Sequence, residues 1–226
     1  MSTEQEEPDF DLVLHQARAS HGRLLATLDA CAPEDTSRPS LLPEWSVGHV
    51  LSHLARNADS HTRMLDAAAR GEHVEQYAGG HEQRSRDIEE GARRGGEEIL
   101  DDVRTATARL EVAWDAMPLA AWGGHGLSMG RVWPCRQIVF HRWREVELHH
   151  VDLGLGYSPD DWPAEYVALE LPIAVARLPR RLDGAASATL LAWLVGRRPA
   201  LGTIVIAPWQ AAPYGAGGPW AQPSGV

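Results

Sequence analysis

The sequence predicts a mainly α protein built on a helix bundle, and two observations carry that reading. Apolar residues recur at three- and four-residue spacing through four long segments in the first two thirds of the chain. Short stretches rich in Gly and Pro separate those segments, as connections between helices require. Only near the carboxy terminus does the pattern change, which marks a small appended region.

The first few residues are polar. From about 10 to 32, Val13, Ala17, Leu24 and Leu28 form one helical stripe. A Pro-containing loop follows and ends at Ser46, whose short hydroxyl side chain suits an N-cap. The second helix is expected over residues 47–70, with Val50, Leu54, His61 and Leu65 on one face. Residues 71–81, rich in Gly and His, read as loop. Residues 82–96 carry three glycines among many charges and can form a separate short helix. Ile99, Val103, Ala106, Leu110, Ala113 and Met117 then make the cleanest stripe of the chain, which must pack against neighbouring helices. A Gly- and Trp-bearing connection over 121–134 leads to a fourth helix over 135–152, stopped by Gly154 and Gly156. Beyond it the sequence predicts helices over 163–182 and 188–195, a β-branched run over 203–206 and an irregular tail after Pro208. The expected domains are therefore residues 8–157, the bundle, and 158–226, a small α/β region. No internal repeat is visible.

Composition narrows the function. A chain of 226 residues buries a sizeable core without cross-links. The formal net charge of −10 disfavours a nucleic acid or an anionic membrane surface as partner, because the mean field repels phosphate. It leaves room for a small anion held by a local Arg. With no leading apolar segment, no apolar run of spanning length and two well-separated cysteines, Cys31 and Cys135, the expected setting is the cytoplasm with both thiols free. Cys135 reads as a buried thiol at a helix start.

The segment richest in chemistry is His141-Arg142-Trp143-Arg144-Glu145-Val146-Glu147-Leu148-His149-His150-Val151-Asp152. At helical pitch Glu145 and His149 lie about 40° apart, one turn above the other, so carboxylate and imidazole can grip one ion from one side. A second helix must complete the set, and the second predicted helix offers His49 and His53, again four apart. One carboxylate with two imidazoles suits zinc or another first-row ion and leaves positions open for water or substrate. The plainer alternative is that an i, i+4 Glu–His pair is a surface or capping interaction, and that His53 is an ordinary polar histidine. His141, one turn before Glu145, is open to three roles: ligand, partner behind a ligand, or pocket wall. His61, His73, His81, His125 and His150 read as structural or solvent-facing. Glu147 and His150 form a Glu-x-x-His pair, but di-iron bundles need two copies and there is no second. Trp45, Trp143 and Trp193 read as packing, with walling a pocket the alternative for any of them.

Two motifs now resemble a known family: Leu41-Leu42-Pro43-Glu44-Trp45-Ser46-Val47-Gly48-His49-Val50-Leu51-Ser52-His53-Leu54, and Arg144-Glu145-Val146-Glu147-Leu148-His149-His150-Val151-Asp152-Leu153-Gly154. With Ala108-Arg109-Leu110-Glu111-Val112-Ala113-Trp114, they look like the mycothiol-dependent maleylpyruvate isomerases of the DinB-like four-helix metalloproteins. The resemblance covers residues 10–157. It implies zinc held by His53, Glu145 and His149, with His49 a common histidine that is not a ligand. It also implies two substrate arginines, here Arg84 and Arg197, and mycothiol as thiol cosubstrate. Cis–trans isomerisation would follow from a thiolate adding to and leaving an activated double bond of a small carboxylate-bearing electrophile. The chain is expected to act as a monomer or a homodimer.

This sequence departs from the family in two places. Only a few residues separate the 163–182 helix from Gly196-Arg197, where the family has several strands, so the appended domain is shortened or rebuilt. His141 stands where an apolar residue is expected. Alternatives are a mycothiol S-transferase for another electrophile, a metal-dependent hydrolase, and a non-catalytic metal-binding bundle.

Overall fold

A computed structural model describes residues 8–182 and 184–197. The chain divides after Trp162 into two compact units. In the first, α1 (Phe10–Asp29), α2 (Val47–Ala69), α4 (Gly96–Ala116) and α5 (Cys135–Asp152) form the bundle, and α3 (Gly80–Ala92) lies against α2. The packing partners close a ring: α4 on α2, α2 on α5, α5 on α1, α1 on α4. All six apolar residues of the 99–117 stripe are buried, as their spacing predicts.

α5 is a largely buried helix, and its sequence disguises this. Arg142, Glu145, Glu147, His149 and His150 are all buried, so the helix shows no clean apolar face. Each has a partner that makes burial tolerable. Arg142 donates to His21 Nε2 (3.0 Å), to the Leu54 carbonyl (2.9 Å) and to Asn57 Oδ1 (2.9 Å). Glu147 accepts from Arg23 (2.6 Å), Trp143 Nε1 (2.9 Å) and the Tyr157 hydroxyl (2.5 Å). His150 pairs with Thr27 Oγ1 (2.8 Å) and stacks on Tyr157. Glu147 and His150 thus tie α5 to α1, and neither faces solvent.

The 121–134 connection is more ordered than its composition suggests. Strands β1 (His125–Ser128) and β2 (Arg131–Pro134) form an antiparallel hairpin in the register His125↔Pro134 to Ser128↔Arg131. Its two-residue turn has Met129 at φ 53° and Gly130 at φ 72°, the paired positive angles of a turn whose twist matches the strands. Met-Gly is a weak version of that turn signal, and four-residue strands carry little alternation, so the sequence conceals the hairpin. The hairpin packs closely on α2: a Cβ on Gly126 would fall 2.4 Å from Met64 Cε. The short helix expected within 82–96 is α3, which starts earlier, at Gly80, and ends at Ala92; Gly91 allows its close approach, since a Cβ there would meet Ser52 Oγ at 2.7 Å.

The second unit contains α6 (Ala164–Arg177) and α7 (Gly184–Leu194), joined by a short 3-10 turn. The β-branched run expected at 203–206 lies outside the described residues. Among the described residues no helix is long and apolar enough to cross a membrane.

Candidate metal centre

Ser46 starts α2. Its Oγ accepts from the His49 backbone N–H (3.3 Å), and His49 Nδ1 accepts from the Ser46 N–H (3.1 Å), a reciprocal cap with histidine in the third helical position. His49 is therefore committed to the helix end. His53, one turn on, faces inward. α5 runs antiparallel to α2: His53 meets Glu145 and His149, Asn57 meets Arg142, and His61 meets His141.

His53, Glu145 and His149 come together as three buried side chains whose candidate ligand atoms all lie within 4.8 Å of one another. Exposures are 2%, 2% and 0%. Glu145 Oε2 is 2.9 Å from His53 Nε2 and 3.6 Å from His149 Nε2. The two imidazoles cross edge to face, with centroids 4.5 Å apart. Behind His149, Asp152 Oδ2 is 2.8 Å from Nδ1. An ionised carboxylate only accepts, so the Nδ1 proton is fixed and Nε2 turns toward Glu145.

Charge in this pocket is set by opposing effects. Burial alone would raise the Glu145 carboxyl, but the facing imidazoles of His141, His149 and His53 hold it well below the usual range. Burial would lower His149, yet its bonds to Asp152 and Glu145 outweigh that and lift it to about 9. His53 goes the other way: burial first, then the neighbouring His149 charge, push it to about 3. At neutral pH the centre without metal holds a carboxylate, an imidazolium and a neutral imidazole.

The residues fit a small divalent ion. Metal–donor bonds of about 2.0–2.2 Å place tetrahedral donors about 3.4 Å apart. The two distances from Glu145 Oε2, 2.9 and 3.6 Å, straddle that value. An anionic oxygen and two imidazole nitrogens on rigid helices are a borderline-soft set that suits zinc and leaves positions open.

Arg84, on α3, reaches this cluster: its Nη2 lies 3.1 Å from His53 Nδ1. Guanidinium only donates, so Nδ1 accepts and the His53 proton sits on Nε2, pointing at Glu145. Ligation through Nε2 requires that proton to move or leave, and a proton on Nδ1 would displace Arg84. Tyr77 sits beside Arg84; burial raises its phenol despite that cation. Arg197 lies in the second unit, exposed, its Nη1 on the Val195 carbonyl at 3.3 Å. His141 falls outside the three-residue cluster but puts Nε2 3.3 Å from Glu145 Oε1. Cys135 is buried, and burial pushes its thiol to about 11.

Two residues at the centre escape a reading of spacing alone. Asp152 is three residues beyond His149 on the same helix, a legible partner position. Trp45 is half-buried with its ring 6.0 Å from His53. A turn over 42–45, with Trp45 N–H on the Leu42 carbonyl (3.2 Å) and Glu44 at φ 65°, aims it there. Its loop is tied to α5 by the Leu41 N–H on the Asp152 carbonyl (2.8 Å).

Two solved structures are similar: a mycothiol-dependent maleylpyruvate isomerase (27% identity, TM-score 0.68, covering 71% of this chain and 67% of that one), and a histidine-to-alanine variant of such an enzyme (25% identity, TM-score 0.70, covering 79% and 78%). No curated protein matches the chain. The family model described as the mycothiol maleylpyruvate isomerase N-terminal domain matches residues 17–154, a span holding His53, Arg84, Glu145 and His149. The chain belongs to the mycothiol maleylpyruvate isomerase N-terminal domain family.

Proposed function

We propose that this protein is a zinc- and mycothiol-dependent isomerase of the maleylpyruvate type, with zinc held by His53, Glu145 and His149. The observation that carries the reading is the convergence of those three buried donors from two helices, inside the segment that matches the family. Both similar structures are enzymes of that activity, which supports the same reading for this chain.

A bound zinc supplies Lewis acidity that keeps a thiol ionised at neutral pH. The cosubstrate's thiolate adds to the cis double bond of maleylpyruvate, and the negative charge moves into the conjugated carbonyl as an enolate. The former double bond rotates as a single bond. The enolate then re-forms the double bond as trans and expels the thiolate, giving fumarylpyruvate.

The chain's own residues supply place and charge. Asp152 holds His149 in the tautomer that presents Nε2, and the buried walls keep bulk water from competing for the electrophile. Arg84, now resting on the weak acceptor His53 Nδ1, has in a substrate carboxylate a stronger and bidentate partner. Arg197 is the proposed second arginine. In a chain of net charge −10, local guanidinium is what draws in a dicarboxylate.

The test is metal analysis of purified protein followed by turnover with mycothiol and maleylpyruvate. About one zinc per chain, thiol-dependent conversion and recovery of free thiol are expected. A stable thioether with another electrophile, and no conversion of maleylpyruvate, would move the protein to the S-transferases. Thiol-independent turnover would make it a hydrolase, and zinc with no thiol chemistry a binding module.

A further inference from the structure

Glu145 is the middle of a ladder of imidazoles. On α5 it lies four residues after His141 and four before His149; on α2, His53 and His61 lie four residues either side of Asn57. Because the helices are antiparallel, His53 faces His149 on one side of the carboxylate, and His61 faces His141 on the other. The two carboxylate oxygens divide between these levels. Oε2 looks toward His53 and His149, and Oε1 lies 3.3 Å from His141 Nε2.

We infer that His141 is a positioning residue that holds Glu145 Oε1 through an Nε2–H donor, so that Glu145 offers the metal one oxygen only. The inference rests on the metal centre proposed above. A carboxylate free at both oxygens can bind one ion through both and fill a position that a thiol must enter. Engaging Oε1 in a hydrogen bond removes that option and leaves Oε2 as the single donor. Such partners behind a ligand commonly change metal affinity ten- to a hundredfold.

The imidazole of His141 is held for this task. It is buried, and Trp133 of the hairpin meets it edge-on at 4.6 Å. Trp133 pairs in register with Gly126, the residue pressed against Met64 of α2, so hairpin, α2 and α5 together set the ring's direction. His61 lies beside both rings, 5.5 Å from His141 and 5.7 Å from Trp133, without reaching the cluster of ligand atoms. An apolar side chain at 141 could pack there, but it could not hold Oε1.

The experiment compares wild type with His141→Gln, which keeps an N–H donor, His141→Met, which has a similar volume and none, and His61→Met, which alters the same buried layer away from Glu145. Each is loaded with cobalt(II) for its visible spectrum and with zinc for competition against a chelator. Expected are one ion per wild-type chain and a four-coordinate cobalt spectrum, retained in His61→Met and nearly so in His141→Gln. His141→Met should release zinc about tenfold more readily and show the weaker bands of a higher-coordinate ion. A crystal structure of zinc-loaded wild type should show one Glu145 oxygen on the ion, a readout that needs no variant to fold. Bidentate Glu145 in that structure, or identical Gln and Met variants, overturns the role. So does loss of metal in His141→Gln as complete as in His149→Ala, or a second ion bound through His141, since either makes it a ligand. Wild type that takes up no ion removes the metal centre itself, a failure distinct from the others.

Discussion

Asp152 accepts a hydrogen bond from His149 Nδ1 at 2.8 Å, and through its backbone carbonyl it also holds the Leu41 N–H of the loop that carries Trp45. One residue thus fixes the tautomer of a candidate ligand and anchors the rim of its pocket. Asp152→Asn keeps the size and the backbone bond but can present an N–H to Nδ1, which favours the tautomer with its proton on Nε2. Zinc retention should fall about ten- to a hundredfold, measured by chelator competition, with the circular dichroism spectrum unchanged. Unaltered retention would show that His149 is oriented by packing alone.

Zinc uptake should release protons. His149 is raised to about 9, so at pH 7 it carries a proton that ligation expels, whereas His53, lowered to about 3, is already neutral. Apparent affinity should climb about tenfold per pH unit up to about pH 9 and then level. The same raised pKa stabilises the metal-free fold below the unfolded value near 6.5, a contribution lost as pH rises through about 9. Calorimetry in buffers of differing ionisation enthalpy reads the count directly; uptake with no proton release near pH 7 contradicts this charge assignment.

Neither cysteine should be needed. Cys135 is buried with its thiol pushed to about 11, and burial raises Cys31 as well, so little thiolate exists at neutral pH. Cys31→Ser and Cys135→Ser are expected to retain metal and turnover, and a thiol reagent should label Cys135 only on unfolding. Loss of turnover in Cys135→Ser, with metal and fold intact, would place the nucleophile inside the protein.

The substrate-side arginines separate binding of metal from binding of substrate. Arg84→Ala removes a donor that competes for His53 Nδ1, so zinc should be held as well as before while kcat/KM falls about tenfold, on the order of 1.4 kcal/mol. Arg197→Ala is expected to lower kcat/KM by a similar factor. If Arg84→Ala loses zinc, its place is behind the ligand; if Arg197→Ala turns over normally, its charge serves solvent.

Arg142 should matter to stability rather than chemistry. Arg142→Met leaves His21 Nε2, Asn57 Oδ1 and the Leu54 carbonyl buried without their donor, and should cost about 2–4 kcal/mol in denaturant unfolding. A variant as stable as wild type would mean those groups find other partners.

The sequence by itself determined the four bundle helices, because their stripes recur at helical spacing: Ile99 to Met117 is buried as its periodicity requires, and Ser46 caps α2. Spacing within one helix also brought Glu145 and His149 onto one face. Motif resemblance, and not periodicity, singled out His53 over His49; the structure gives the reason, since His49 Nδ1 is used in the cap. What only the tertiary structure decided is everything that depends on two elements meeting. α5 looks polar all round because its charged residues find partners on α1 and α2, and no one-dimensional pattern records a partner's position. The hairpin is hidden because its strands are four residues long and its turn is Met-Gly. The division of Glu145 between His53 and His149 on one oxygen and His141 on the other is set by the antiparallel register of α2 and α5, since helical pitch places residues on a face and packing alone decides what that face meets.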